Sequence, residues 1–170
     1  RTETALNEGT VSMGSAAVEL AGREADLDDA TALVLGAGEM GTLAARAFDG
    51  AGVDELVVAN RTLPNAEHVA EDVSVDAEAV GLHEAPDAAQ DASVVVAATG
   101  ADEPVLTAAD LAGVDAVCVD IARPRDIDPA AAEIDGVVVH DIDDLEAVTE
   151  QAHENRRAAA RQVEAMIDEE

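Results

Sequence analysis

Short apolar runs alternate along the chain with mixed segments in which apolar residues recur at helical spacing. The apolar runs have strand length, and we assign them to residues 31–35, 55–59, 77–82, 93–98, 116–121 and 136–140. Between them we expect helices over residues 39–49, 64–73 and 84–92, and a helical turn or two over 107–112. This alternation predicts right-handed βαβ units, and therefore a parallel sheet with helices on both faces.

The first predicted strand runs directly into a G-x-G-x-x-G turn that opens a predicted helix. Its first glycine lets the chain turn sharply, its second lets a pyrophosphate approach bare backbone, and its third lets the helix pack close to the strand. The helix then directs its free N–H groups and positive dipole end toward the phosphates. The candidate contacts are Gly36, Ala37, Gly38, Glu39, Met40 and Gly41.

Together these signals predict an α/β fold, a doubly wound, Rossmann-like parallel sheet that binds a dinucleotide. The expected strand order is 3-2-1-4-5-6, which reverses beside the first strand and places the cleft at its carboxyl end. Thr99 and Gly100 end the fourth strand, so we expect them beside the nicotinamide half of the cofactor.

The second predicted strand ends in Asn60, followed by Arg61 and Thr62. A site that prefers NAD usually carries a carboxylate here, which would repel a 2′-phosphate. An amide, a guanidinium and a hydroxyl can instead donate to that phosphate, so the sequence favours NADPH. The alternative is that Arg61 is a surface charge paired with Glu67.

Two further groups have open interpretations. Arg123 and Arg125 follow the fifth strand, where they either face cofactor or substrate, or pair with Asp120, Asp126 or Asp128. The run at residues 140–144 suggests a metal site, but it lacks the glycine and distant glutamate of a calcium loop. We favour Asp141 or Asp143 as the N-cap of a following helix, and we expect no metal site. His68, His83 and His153 are expected at the surface.

Two flanking segments are expected outside the nucleotide-binding unit. We interpret residues 1–24 as a lead-in helix from an upstream domain, residues 25–142 as the nucleotide-binding domain, and residues 143–170 as the start of a further, carboxy-terminal helix. That last helix carries only a narrow apolar stripe, which indicates a partner in another subunit or domain. A start at Arg1 also suggests a piece of a longer protein.

Composition narrows the function classes. The net charge is −29, and every basic residue is an arginine. Acidic residues are spread through all segments of a chain that is 48% hydrophobic, so we predict a folded protein adapted to high salt rather than a disordered acidic tail. The acidic surface disfavours binding of nucleic acid, because phosphates need cations to replace their counterions. No apolar run is long enough for a membrane span and no signal peptide is recognised, so we expect a cytoplasmic protein. The single cysteine, Cys118, lies in an apolar run and is expected to be buried.

Several segments in order resemble glutamyl-tRNA reductases: residues 1–4, 8–20, 36–41, 59–62 and 120–129, continuing through 141–145. The resemblance implies that the domain binds NADPH, with Gly36 to Gly41 on the pyrophosphate and residues 60–62 on the 2′-phosphate. In that family NADPH reduces a thioester formed from glutamyl-tRNA to glutamate-1-semialdehyde, in tetrapyrrole synthesis. The resemblance also implies that residues 143–170 begin a carboxy-terminal dimerisation helix and that the parent enzyme is a homodimer. Arg123 departs from the apolar residue usual at that place, so no role is carried over to it.

The family's nucleophilic cysteine belongs to an amino-terminal domain, and nothing in this chain matches it. We therefore expect no catalytic residue here, and a domain that binds cofactor without turnover. Glutamyl-tRNA would contact other parts of the full enzyme and not this acidic surface. Two alternatives are a stand-alone NADP(H)-binding sensor and a shikimate-dehydrogenase-like oxidoreductase. The second would need a lysine and aspartate pair, and the chain contains no lysine.

Overall fold

Strands and helices alternate through the part of the chain that the computed structural model describes, which is residues 2–147 with side chains from residue 13 onward. A further helix begins at residue 142 and is described to residue 147. The elements are α1 (Thr2–Glu24), β1 (Thr31–Leu35), α2 (Glu39–Ala51), β2 (Glu55–Asn60), α3 (Leu63–Asp72), β3 (Asp76–Gly81), a 3₁₀ turn (Leu82–Glu84), α4 (Ala85–Ala89), β4 (Val94–Ala97), β5 (Ala116–Asp120), a 3₁₀ turn (Pro129–Glu133) and β6 (Val137–Asp141).

The six strands form one sheet in the order β3-β2-β1-β4-β5-β6, and every pairing is parallel. This confirms the doubly wound architecture and the strand order expected from the sequence. At the carboxyl end of β1, Leu35 pairs with Ala59 on one side and with Ala97 on the other. The chain order reverses between these neighbours, so the crevice predicted by the topology opens next to Leu35.

The sheet separates two apolar cores, one on each face. Phe48 of α2 is fully buried in the first core. The second half of α1 also packs there, against α2 and β5, through Ala17, Val18, Leu20 and Ala21. The second half of α1 therefore shares the core on one face of the sheet, which the sequence did not indicate.

The connection between β4 and β5 contains a short run of turns where the sequence predicted a helical turn or two. Over residues 107–112 each turn is closed by an N–H that donates to the carbonyl three residues earlier. The backbone N–H of Thr107 donates to the Asp110 carboxylate at 2.9 Å, and the Asp110 N–H donates to the Thr107 hydroxyl at 3.3 Å. This reciprocal pair has the pattern of a capping box at a helix start, and Gly113 ends the segment early with a left-handed φ of 81°. The helix expected over residues 84–92 is likewise shortened to a 3₁₀ turn and the five residues of α4.

Within residues 2–147, no helix has both the length and the apolar content needed to cross a bilayer.

Candidate functional site

The glycine turn joins β1 to α2, and its three glycines occupy different environments. Gly36 has a φ of 105°, and a Cβ there would lie 2.9 Å from the carbonyl oxygen of Ala98. A Cβ on Gly41 would overlap the carbonyl of Gly36, so the helix packs as close to the turn as backbone allows. A Cβ on Gly38 would meet no atom within 4 Å. The sharp turn and the close packing are confirmed, and the space at Gly38 is open to an incoming group.

Among the residues that the structure describes, the first backbone N–H groups of α2 have no acceptor. Gly38 is its N-cap residue and supplies no side-chain cap. The first N–H groups of a helix have no partner inside the helix, so those of Glu39 and Met40 face outward from its positive end. The Gly36 N–H is different, because it donates to the Ala59 carbonyl at 2.8 Å. The turn thus presents a small anion-binding surface at the switch point of the sheet.

Asn60 connects the turn to the end of β2. Its Oδ1 accepts a hydrogen bond from the Ala37 N–H at 3.2 Å, and its Nδ2 donates to the Thr62 carbonyl at 3.0 Å. The amide therefore organises the two loops, a role that the sequence did not indicate. Thr62 is the N-cap residue of α3, although its side chain makes no capping hydrogen bond.

Arg61 is exposed and forms no ion pair with any residue in the described range. The alternative pairing with Glu67 is therefore not present. Arg61 lines two cavities that share residues, one of about 540 Å³ and one of about 210 Å³. The smaller cavity brings together four predicted site residues: Asn60, Arg61, Thr99 and Gly100.

Sequence reasoning missed the other walls of these cavities. Leu82 lines both, and His83 and Pro86 line the larger one. On the opposite side lies the loop after β4, from residue 101 to residue 105. Ligands of such sheets bind at the carboxyl ends of the strands. The position of Leu82 and His83 directly after β3 could therefore have indicated them as site residues. His83 is exposed, as expected for a surface histidine, but it faces the same cavity as Arg61.

Two buried carboxylates hold the loops at the carboxyl ends of β4 and β5. Asp126 accepts hydrogen bonds from the backbone N–H and the hydroxyl of Thr99. Asp120 accepts from the N–H groups of Ala122 at 3.1 Å and Ile127 at 2.9 Å. Burial raises the pKa of Asp120 above its ordinary value, and these two backbone hydrogen bonds offset part of that rise.

Both arginines of the loop after β5 form ion pairs. Arg125 contacts Asp120 at 3.5 Å, which is one of the pairings considered from the sequence. Arg123 instead contacts Asp143 at 3.4 Å, so the partners expected for it were wrong. Asp143 lies in the helix after β6, 20 residues from Arg123 along the chain, so only the folded structure brings the two side chains together. Neither arginine lines the two cavities described above.

Cys118 is fully buried in β5, as expected. Burial raises the pKa of its thiol to about 12, and the nearby Asp120 carboxylate contributes to that rise. A thiol with so high a pKa is protonated at neutral pH and is a poor nucleophile.

The segment after β6 is a helix start, as favoured from the sequence. The Asp141 carboxylate accepts from the Asp144 N–H at 2.9 Å, and the Asp144 carboxylate accepts from the Asp141 N–H at 3.1 Å. This reciprocal pair is a capping arrangement. Leu145, one residue further, is buried in the first core.

His153 and the predicted apolar stripe beyond residue 147 lie outside the described residues. Within the described range, no three His, Cys, Asp or Glu side chains converge as a metal site would require.

Comparison with known proteins gives matches over most or all of the chain. The family model described as shikimate / quinate 5-dehydrogenase matches residues 19–148. Glutamyl-tRNA reductase from Halobacterium salinarum is 57% identical over 171 residues, which cover 100% of this chain and 39% of the relative. The corresponding protein from Natronomonas pharaonis is 53% identical, with 100% of this chain and 38% of the relative covered. The chain thus spans about two fifths of the length of these curated relatives.

Solved structures give the same correspondence. Glutamyl-tRNA reductase from Methanopyrus kandleri superposes with a TM-score of 0.79 at 40% identity, covering 94% of this chain and 42% of that one. The nucleotide binding domain of glutamyl-tRNA reductase from Thermoplasma volcanium superposes with a TM-score of 0.64, covering 86% of this chain and 96% of that one. At 17% identity the second likeness concerns the fold alone.

Proposed function

The chain belongs to the shikimate / quinate 5-dehydrogenase family, and we propose that within it the chain is the NADPH-binding domain of a glutamyl-tRNA reductase. The proposal is supported by full-length similarity to reductases of that name and by the cleft at the end of β1. The observation that carries it is the uncapped amino terminus of α2 behind the open position at Gly38, together with Arg61, which has no ion pair among the described residues and lines the cavity with Asn60, Thr99 and Gly100.

The glycine turn fits a pyrophosphate. The space beside Gly38 would admit the phosphates to backbone contact, and the N–H groups of Glu39, Met40 and Gly41 would donate to their oxygens. Asn60 would act indirectly, because its bond to the Ala37 N–H sets the shape of the turn. Thr99 and Gly100 would contact the ribose beyond the pyrophosphate, on the way to the nicotinamide.

Arg61 would select the phosphorylated adenosine. Its guanidinium has no carboxylate partner within residues 13–147, so binding a 2′-phosphate would not require it to leave an existing ion pair. A guanidinium donates two parallel hydrogen bonds to a phosphate, which a neutral ribose hydroxyl cannot match. Thr62 adds a hydroxyl at the same edge, and we assign NADPH as the cofactor on this basis.

NADPH, when bound, supplies a hydride. In the parent enzyme that hydride would reduce the thioester formed from glutamyl-tRNA to glutamate-1-semialdehyde. The described residues contribute binding and orientation, since Cys118 is buried and protonated and cannot serve as the nucleophile. We propose that glutamyl-tRNA contacts other parts of the enzyme, because this domain's acidic surface would repel its phosphates.

We propose three segments in the chain, with residues 17–21 of the first contributing to the core of the second. Residues 25–142 would form the cofactor domain, residues 1–24 would connect it to a catalytic domain, and residues 143–170 would begin a dimerisation helix. The relatives from halophilic archaea support the interpretation of the net charge of −29 as adaptation to high salt.

Calorimetry in concentrated KCl tests the proposal. We expect the chain to bind NADPH more tightly than NADH, and Arg61→Ala to weaken NADPH binding by about tenfold or more with little effect on NADH. Arg46→Ala is the matched control, because Arg46 is exposed and pairs with Asp72 away from the cleft. Binding of neither nucleotide, or equal losses in the two variants, would reject the proposed function.

A further inference from the structure

The loop from Thr99 to Val105 is fastened at both ends to one residue, Asp126. At the first end, the Thr99 N–H donates to the Asp126 carboxylate at 2.7 Å, and the Thr99 hydroxyl donates to its other oxygen. At the second end, the N–H groups of Val105 and Leu106 donate to the Asp126 carbonyl at 2.6 and 3.0 Å. The ends of the loop are therefore held together by four hydrogen bonds to a single residue.

Asp126 is itself rigidly placed. It is fully buried, with 0% of its surface exposed. The next residue, Ile127, donates its N–H to the buried Asp120 of β5 and pairs with Leu106 in a parallel bridge. Asp126 therefore connects the loop to β5, a strand inside the sheet, and fixes the position of the loop relative to it.

The conformation between the two ends is also constrained from Thr99. Its hydroxyl accepts from the Ala101 N–H at 3.1 Å while donating to Asp126. Gly100 adopts a φ of 63°, and a Cβ there would lie 3.2 Å from the Arg123 carbonyl oxygen. Loss of the Asp126 carboxylate would release Thr99 and, with it, the start of this turn.

The fastened loop forms one wall of the cleft. Thr99, Gly100 and Ala101 line the smaller cavity, and residues 101–105 line the larger one, with Arg61 on the opposite side of both. Asp126 lines neither of these cavities. Direct contact between Asp126 and a ligand in these cavities is therefore not expected, and its contacts reach them through the loop.

We propose that Asp126 is a positioning residue for nucleotide binding, which sets the distance between the loop wall and Arg61 through its two side-chain bonds to Thr99. The inference rests on the proposed function, because it requires a nucleotide in this cleft. A buried carboxylate is costly unless several donors satisfy it. The proposal gives the Asp126 carboxylate a role in nucleotide binding that its burial alone would not suggest.

Calorimetry on the same chain tests the inference with two truncations of the same kind. Asp126→Ala is expected to weaken NADPH binding by about tenfold at unchanged stoichiometry. Asp49→Ala is the control, because the Asp49 carboxylate also accepts two backbone N–H groups, from Ser74 and Val75, but just before β3 at the opposite edge of the sheet. We expect it to bind NADPH within about twofold of the unsubstituted chain.

Conservative variants separate positioning from a general loss of stability. Asp126→Asn can turn its oxygen to the Thr99 N–H and its amide to the Thr99 hydroxyl, so it should recover most of the lost affinity. Hydrogen exchange should rise at residues 99–101 in Asp126→Ala and stay unchanged across β1 and α2. If Asp126→Ala does not fold, Asp126→Ser takes its place, because its single oxygen cannot serve both Thr99 donors, and it should bind NADPH more weakly than Asp126→Asn.

The outcomes are distinguishable from failure of the proposed function. If the unsubstituted chain binds neither nucleotide, the proposed function fails and this inference fails with it. If that chain binds NADPH but Asp126→Ala binds equally well, or if both aspartate truncations weaken binding alike, the positioning role alone is overturned.

Discussion

The Asn60 side-chain oxygen lies 3.2 Å from the Ala37 nitrogen and accepts its hydrogen bond, which joins the end of β2 to the glycine turn after β1. Ala37 belongs to the turn proposed to bind the pyrophosphate, and Asn60 precedes Arg61, which is proposed to bind the 2′-phosphate of the same nucleotide. A change at Asn60 therefore alters both the shape of the turn and the charge near Arg61.

Asn60→Asp should shift the cofactor preference away from NADPH and toward NADH. The carboxylate can still accept from the Ala37 N–H, so we expect the turn to keep its shape, although the bond to the Thr62 carbonyl is lost. The new negative charge would repel a 2′-phosphate and accept from free ribose hydroxyls. NADPH binding should weaken by about tenfold relative to NADH, as measured by calorimetry. Unchanged affinities for both nucleotides would contradict the assignment of this edge to the 2′-phosphate.

Gly38→Ala should impair binding while leaving stability nearly unchanged, whereas Gly41→Ala should lower stability. At Gly38 a Cβ meets no protein atom within 4 Å and φ is −80°, so the melting temperature should change by less than about 2 °C. The same methyl would occupy the space proposed for the phosphates and should reduce NADPH affinity by about tenfold or more. At Gly41 the methyl would overlap the Gly36 carbonyl and should cost about 2 kcal/mol of stability. Thermal melts and calorimetry on both variants provide the comparison, and a large drop in melting temperature for Gly38→Ala would contradict it.

The sequence predicted the framework of the site well because that framework is encoded locally. β1 and the turn after it are contiguous, their apolar residues are consecutive, and the three glycines are required by backbone geometry alone. The strand order follows from the general handedness of βαβ units, so the position of the cleft could also be predicted.

Contacts between distant segments could not be predicted in the same way. Asn60 and Ala37 are 23 residues apart, and Thr99 and Asp126 are 27 apart. Nothing in the acidic composition distinguishes Asp126 from the many solvated aspartates around it.

Cys118 should be unreactive in the native protein. With a thiol pKa of about 12, roughly one molecule in 10,000 is ionised at pH 8. A thiol-reactive disulfide should therefore react slowly with the folded chain and rapidly in denaturant. Fast labelling of the native state would contradict the buried position of the residue.

The same raised pKa makes stability fall in alkali. The unfolded thiol ionises near its ordinary pKa of about 8.5, whereas the folded one resists ionisation until about pH 12. The free energy of unfolding should therefore decrease as pH rises between these values. Cys118→Ala should remove that part of the dependence, which chemical denaturation at several pH values would measure.

Salt should stabilise the chain strongly. At a net charge of −29 the folded state is opposed by self-repulsion, and the Debye length shortens from about 10 Å at 0.1 M salt to about 3 Å at 1 M. We expect the melting temperature to rise by about 10 °C or more over that range of KCl. Circular dichroism melts would measure it, and equal melting temperatures at low and molar salt would contradict adaptation to high salt.

Asp141 should stabilise the helix start after β6 in a manner that depends on pH. The hydrogen bond from the Asp144 N–H, with help from the charge of Arg125, lowers the pKa of Asp141 below its ordinary value. Its contribution is therefore fully present above the unfolded pKa of about 3.9 and is lost as pH falls through the lower folded pKa. Asp141→Asn keeps an acceptor for the cap but loses the charge, so it should cost about 0.5 kcal/mol at neutral pH.

Asp143→Asn is the matched control for that variant. Its carboxylate contacts Arg123 at 3.4 Å, but the two side chains are 80% and 65% exposed, so solvent screens the pair and its loss should be barely measurable. Chemical denaturation from neutral pH down to about pH 3 should show the difference between Asp141→Asn and the unsubstituted chain shrinking as Asp141 becomes protonated. A difference that is constant across this range would mean that the cap acts through its geometry, with no contribution from the carboxylate charge.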